Sequence, residues 1–240
     1  MKNHLLSFGH GYSAQALGRV LHPLGWQVSG TTRNPDKAKQ MRAEGVEPLL
    51  WENADAIHAA LRSATHVLAS AGPDAQGDPV LRIFGEEIAK RAGQFKWVGY
   101  LSTTGVYGDH QGQWVDESTP LTPATKRGRA RIAAEAQWQD IPDLGLHIFR
   151  LAGIYGPGRG PFSKVKNGTA RRIIKKNQVF SRIHVEDIAQ ILHASINRPR
   201  FGAVYNVCDD CPAPPQDVIA HAAELLGAPI PPAIDFEKAD

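Results

Sequence analysis

Near the N-terminus the run Gly9-His10-Gly11-Tyr12-Ser13-Ala14 spaces two glycines and a small alanine as an anion-gripping turn requires. Gly9 can take the positive φ of a tight turn, Gly11 lets the backbone approach a pyrophosphate, and Ala14 lets a following helix pack close to the preceding strand. Such a helix aims its unpaired N–H groups and the positive end of its dipole at the phosphates. A second cluster is Thr31-Thr32-Arg33-Asn34, at the place where NAD-selective sites carry an acidic side chain for the adenosine ribose. With no carboxylate to repel a 2′-phosphate and Arg33 available to pair with it, the expected cofactor is NADP(H) in preference to NAD(H). Arg33 as a plain exposed helix-entry residue is the other reading. Trp51 either lines the adenine pocket or caps the sheet. Ala71 and Gly72 continue a run of small residues, as a backbone passing a cofactor requires. The expected cofactor set is therefore Gly9, Gly11, Tyr12, Ser13, Ala14, Thr32, Arg33, Trp51, Ala71 and Gly72.

The elements that must position these residues alternate along the chain. Strands are expected at His4–Phe8, Gln27–Thr31, Val46–Leu50, Thr65–Ser70, Lys96–Leu101 and Leu146–Arg150. Helices fall between them, after Ala14, over Pro35–Ala43, through Ile57 and Leu61, over Pro79–Ala92 and over Thr125–Gln139. Such alternation predicts an α/β fold, a doubly wound parallel sheet of Rossmann type with its ligands at the C-terminal strand ends. Beyond Arg150 the pattern loosens into a glycine- and proline-rich loop. A helix over Val185–Ile196, a strand over Ala203–Val207 and a helix over Gln216–Leu226 follow. Residues 1–152 read as the dinucleotide-binding domain and 153–240 as a smaller substrate-side lobe sharing the sheet. No closing element is legible after Pro229-Ile230-Pro231-Pro232, so the lobe reads as incomplete at its C-terminus.

Composition narrows the function classes. A net charge of +3 over 240 residues is too small an excess for a nucleic-acid role without a concentrated basic face. Lys164, Lys166, Arg171, Arg172, Lys175 and Lys176 cluster, as a solvated helix face or as an attractor for an anionic substrate. Cys208 and Cys211 lack the second ligand pair of a structural zinc and read as loop thiols in a reducing compartment, so no metal is expected. No signal-peptide pattern is present and no apolar run reaches the roughly 20 residues of a membrane span, so a soluble cytoplasmic protein is expected.

Four further segments stand in a telling order: Leu101-Ser102-Thr103-Thr104-Gly105-Val106-Tyr107-Gly108, Arg150-Leu151-Ala152-Gly153-Ile154-Tyr155-Gly156-Pro157-Gly158-Arg159, Arg182-Ile183-His184-Val185-Glu186-Asp187, and Tyr205-Asn206-Val207. With the glycine loop, they make the chain resemble the extended short-chain dehydrogenase/reductase superfamily, in its NAD-dependent epimerase/dehydratase branch, over nearly its whole length. The resemblance implies that Thr103 polarises a substrate carbonyl or hydroxyl. It places the family's catalytic Tyr-x-x-x-Lys on Arg127 and Arg131, with Glu135 one turn on. A guanidinium stays protonated, so Arg127 does not replace a phenol as acid and base. Arg131 either holds the nicotinamide ribose as the lysine does or binds a substrate anion; alternatively both arginines lie on an exposed helix face. Thr104 and Gly105 stand where the dehydratases carry an acidic pair, and Phe180 where nucleotide-sugar enzymes carry an arginine that Arg182 could replace. The substrate side is expected to comprise Thr104, Tyr155, Arg159 and Arg182. Tyr100, Tyr107, Tyr155 and His184 are candidate displaced proton donors, His184 and Asp187 also being read as supports for the following helix. A homodimer through the helices near Ile83–Ala92 and Ile132–Gln139 is implied too, although helices covering their own sheet look the same.

The chain is thus closest to atypical members that keep the cofactor fold without the tyrosine/lysine pair. Two functions remain: an NADP(H)-preferring oxidoreductase or epimerase-like enzyme on a small carbonyl, hydroxyl or sugar substrate, or a catalytically inactive dinucleotide-binding regulator or scaffold.

Overall fold

The computed structural model describes residues 2–239. Strands and helices alternate through β1 (His4–Phe8), α1 (Tyr12–Leu21), β2 (Gln27–Thr32), α2 (Pro35–Ala43), β3 (Glu47–Leu50), α3 (Ala54–Ser63), β4 (His66–Ala69), α4 (Pro79–Lys90), β5 (Trp97–Thr103), α5 (Lys126–Gln139) and β6 (Leu146–Leu151). The chain continues through β7 (Gly153–Tyr155), α6 (Pro161–Lys166), β8 (Arg172–Ile174), β9 (Arg182–His184), α7 (Val185–Asn197), β10 (Val204–Val207), α8 (Pro215–Leu225) and β11 (Ala233–Asp235). Seven parallel strands form the main sheet in the order β3-β2-β1-β4-β5-β6-β10. The order reverses between β1 and β4, which opens a crevice beyond their C-terminal ends.

Successive strand residues face opposite sides, so adjacent apolar pairs feed two cores. Leu6, Val67, Val98 and Ile148 pack with Ile57, Phe84, Ile88 and Trp138 of α3, α4 and α5. Leu5, Leu68, Trp97 and Phe149 pack with Leu17, Met41, Ile188 and Leu192 of α1, α2 and α7. Local signals start several helices: the Asn34 side chain caps α2, Asn53 caps α3, Asp78 caps α4 and Thr125 caps α5, while Pro35 and Pro79 open α2 and α4. On α4, Val80, Phe84 and Ile88 turn inward and Ile83 is exposed.

Three features differ from the sequence reading. The stretch after Arg150 contains the parallel pairs β7–β9 and β8–β11, each strand three residues long and too short for a periodic signal. The residues beyond Pro232 are structured, since β11 pairs with β8. The basic run is not one helix face: α6 ends at Lys166, the Arg172 guanidinium donates to the Pro231 carbonyl at 3.0 Å, and Lys175 lies over the Phe236 ring. Among the described residues no helix is long and apolar enough to cross a membrane.

His10 is a buried polar residue with an energetic consequence. Its ring occupies the space a Cβ on Gly30 would need, it is 1 % exposed, and neither ring nitrogen has a hydrogen-bond partner. Burial, assisted by Lys37 and Arg19, pushes its pKa down to about 4. The unfolded chain binds a proton near pH 6.5 that the folded chain refuses, so stability falls as pH drops from there toward 4, by on the order of 3 kcal/mol for this residue. Urea unfolding at pH 7 and pH 4.5 should show this loss. His10→Leu should flatten the profile by that share and cost little at pH 7, because it removes two unpaired buried nitrogens. A profile that the substitution leaves unchanged would contradict this account.

Candidate dinucleotide and active site

β1 ends in a left-handed turn at Gly9, with φ of +75°, where a Cβ would lie 2.9 Å from the Ala71 amide nitrogen. Both space and conformation therefore demand glycine. The neighbouring strands pin this turn from either side. The Gly9 N–H donates to Thr31 Oγ1 (2.7 Å), the His10 N–H to the Thr31 carbonyl (3.0 Å), and the Ser70 hydroxyl to the Gly9 carbonyl. The sequence reading put Thr31 and Ser70 at the cofactor-side strand ends without a role; the structure shows their hydroxyls holding the Gly9 turn. Gly11 is the N-cap of α1, no side chain caps the helix, and its first turn holds no acidic residue. The first-turn N–H groups of Tyr12, Ser13 and Ala14 thus remain for an anion, while buried Ala14 lets the helix sit close to the sheet. This cradle fits a dinucleotide pyrophosphate.

At the exit of β2, Arg33 is exposed and makes no hydrogen bond or ion pair to a described residue. Thr32 is occupied locally, its Oγ1 accepting from the Asn34 N–H at 3.1 Å. Asp36, the nearby carboxylate, pairs with Lys39 at 3.0 Å. Lys37 is half-buried, forms no ion pair, and is held below its ordinary pKa by burial. It is a second cation at this corner, four residues beyond Arg33, and the sequence reading passed over it. Trp51 packs against the core with its ring edge-on to Phe84, 5.7 Å between centres, and its backbone N–H donates to the Thr32 carbonyl.

Beyond β5, half-buried Thr103 accepts from the Gly105 N–H at 3.2 Å through Oγ1, which leaves its hydroxyl proton free to donate. Thr104 begins the single 3-10 turn that follows. The start of α5 presses on this turn, since a Cβ on Gly128 would lie 2.8 Å from the Gly105 carbonyl oxygen. The preceding residue, Arg127, is exposed and makes no hydrogen bond or ion pair with a described residue. Arg131 is not on an exposed face. It is 8 % exposed, its Nη1 donates to the Leu101 carbonyl (2.6 Å) and to Tyr100 Oη (3.1 Å), and its Nη2 lies against Gly72. Arg131 thus joins the ends of β4 and β5 beside Ala71.

The phenols at this end are committed elsewhere. Tyr100 is fully buried and pushed up to about 12 by burial, against the opposing pull of Arg131. Tyr107 donates to Asn206 (2.7 Å) and accepts from Arg150 (2.8 Å). Arg150 in turn pairs with Glu135 at 2.8 Å, and Glu135 also accepts from Ser102, all three being buried. None of these positions is available for proton exchange with a substrate.

On the C-terminal side, half-buried Tyr155 and His184 lie opposite each other in the β7–β9 pair, with rings 5.2 Å apart. His184 accepts from the Glu186 N–H and so caps α7, its structural role. Arg159 lies over the Tyr12 ring. Arg182 is half-buried and donates through Nη2 to the Ala213 carbonyl at 2.8 Å.

The family described as NAD dependent epimerase/dehydratase matches residues 8–208. The chain belongs to this family. Protein YeeZ of Escherichia coli is 29% identical over 231 residues, covering 91% of this chain and 82% of YeeZ. A solved protein of unknown function from Silicibacter pomeroyi is 65% identical, covering 100% of this chain and 84% of that one with a TM-score of 0.95. The dTDP-glucose 4,6-dehydratase of Bacillus anthracis, solved with NAD, shares the fold at 16% identity and a TM-score of 0.80, over 98% of this chain and 85% of its own.

The Arg150–Glu135 pair is a buried ion pair. Removing one partner strands a buried charge, so Glu135→Ala should lower unfolding free energy by about 3–5 kcal/mol. Thermal or urea denaturation that shifts by less than 1 kcal/mol would place the pair in effectively aqueous surroundings.

Proposed function

We propose that this chain is an NADP(H)-dependent reductase of a small carbonyl or sugar-derived substrate, using a cationic rather than a tyrosine/lysine active site. The observation that carries the reading is the end of β5, where Thr103 keeps a free hydroxyl proton, the first turn of α5 with its exposed, unpaired Arg127 packs on Gly105, and Tyr100 and Tyr107 are buried. The first turn of α1 would hold the pyrophosphate, Arg33 and Lys37 the 2′-phosphate, and Arg131 the nicotinamide ribose at Gly72. NAD is the cofactor named for the solved dehydratase; the preference for NADP(H) here rests on the two cations at the β2 exit.

When bound, the reduced nicotinamide supplies a hydride. Thr103 then donates a hydrogen bond to the substrate oxygen, and Arg127 stabilises the negative charge that grows there. The proton that completes the alcohol comes from water, because neither guanidinium releases one. A second reading, a dinucleotide-responsive regulator, draws on Arg131, whose Nη1 is spent on Leu101 and Tyr100 in place of a mobile lysine.

Fluorescence titration with NADPH and NADH, followed by a screen of carbonyl compounds for NADPH oxidation, separates the readings. Arg33→Ala should weaken NADPH binding about tenfold or more with little effect on NADH. Thr103→Val should lower turnover by roughly a hundredfold while leaving NADPH affinity unchanged. Tight NADPH binding with no turnover favours the regulator, and absence of dinucleotide binding removes both.

A further inference from the structure

The loop after β7 belongs to the C-terminal part of the chain yet docks on the glycine loop. The Tyr12 hydroxyl donates to the Pro157 carbonyl at 2.9 Å. Gly156, with φ of +149°, has no room for a side chain, since a Cβ would lie 2.7 Å from Tyr12 Oη, 2.8 Å from Val185 Cγ1 and 3.1 Å from His184 Nε2. Reciprocal backbone hydrogen bonds between Gly156 and Arg159, of 2.9 and 3.0 Å, close a turn that presents Arg159. Its guanidinium carbon stands 5.6 Å from the centre of the Tyr12 ring, and the side chain is exposed with no ion pair or hydrogen bond.

Tyr12 is the first residue of α1, so the residue that carries one free first-turn N–H also carries the cation. A helix N-terminus offers only about half an elementary charge, whereas a pyrophosphate brings about two negative ones. Stacking on a ring face satisfies the π side of a guanidinium and leaves its N–H edge for phosphate oxygens. Resting on the dinucleotide reading above, we propose that Arg159 is a pyrophosphate-binding residue, carried over the glycine loop by the Tyr12–Pro157 clasp. Dinucleotide binding, not substrate binding, then fixes the C-terminal loop. This reassigns Arg159 from the substrate side, where its sequence position put it.

Calorimetric titration of the full chain with NADPH and with 2′-AMP, which carries the 2′-phosphate but no pyrophosphate, tests the assignment. Arg159→Ala should weaken NADPH about tenfold and leave 2′-AMP unchanged, Tyr12→Phe should weaken NADPH less, and Arg33→Ala should weaken both. In the wild-type protein, phenylglyoxal labelling read by mass spectrometry should show Arg159 protected by NADPH and not by 2′-AMP, with Arg33 protected by both. Unchanged NADPH affinity in Arg159→Ala, or equal Arg159 labelling with and without NADPH, overturns the proposal and leaves the dinucleotide reading intact. Parallel losses for NADPH and 2′-AMP in Arg159→Ala would move the residue to the 2′-phosphate and overturn it as well. A wild-type protein that binds neither compound refutes the dinucleotide reading and this proposal together.

Discussion

The left-handed turn at Gly9 is the point on which the site depends, because it sits where three adjacent strands end. β1 is hydrogen-bonded to β2 on one side and β4 on the other, and the turn leaving it is held by Thr31 and Ser70 from those same neighbours. Its close approach to Ala71 fixes the distance between the glycine loop and the end of β4. From that anchor α1 leaves at a set angle and packs along α7, the helix that His184 caps after β9. A shift at Gly9 would therefore reach the C-terminal loop through packed helices rather than through a flexible link.

Burial of charge is the second constraint. Arg150 goes inside because Glu135 offers a paired carboxylate and Tyr107 a phenol oxygen. Arg131 goes inside without a carboxylate partner, accepted by the Leu101 carbonyl and the Tyr100 oxygen and lying against the Tyr100 ring. These contacts rigidify the ends of β5 and β6 and at the same time commit two of the candidate proton donors, Tyr100 and Tyr107. Of the polar groups at the end of β5, the Thr103 hydroxyl proton and the exposed Arg127 guanidinium stay uncommitted, and neither group shuttles protons readily near neutral pH.

The core alternation was legible because each strand and helix of the main sheet carries its own periodic signal and punctuation. Asn34-Pro35 and Asp78-Pro79 mark helix starts that the structure reproduces, and the strand ends fall within about two residues of their expected places. The pairs β7–β9 and β8–β11 were not legible. Three residues are too few for a period, and each strand is defined by a partner about thirty to sixty positions away. Arg127 and Arg131 show the same limit at the level of single side chains. Four residues apart on one helix, they look equivalent, yet one is exposed and the other buried.

By itself, then, the sequence determined the parallel α/β architecture, the glycine loop and the cationic exit of β2, all of which rest on local conformational preference and short-range spacing. Tertiary structure alone decided that Arg131 lies against Gly72, that Thr31 and Ser70 hold the Gly9 turn, and that Tyr12 meets Pro157 across 145 residues. Those outcomes depend on which atoms neighbouring elements present once the sheet has formed, and no local pattern encodes that.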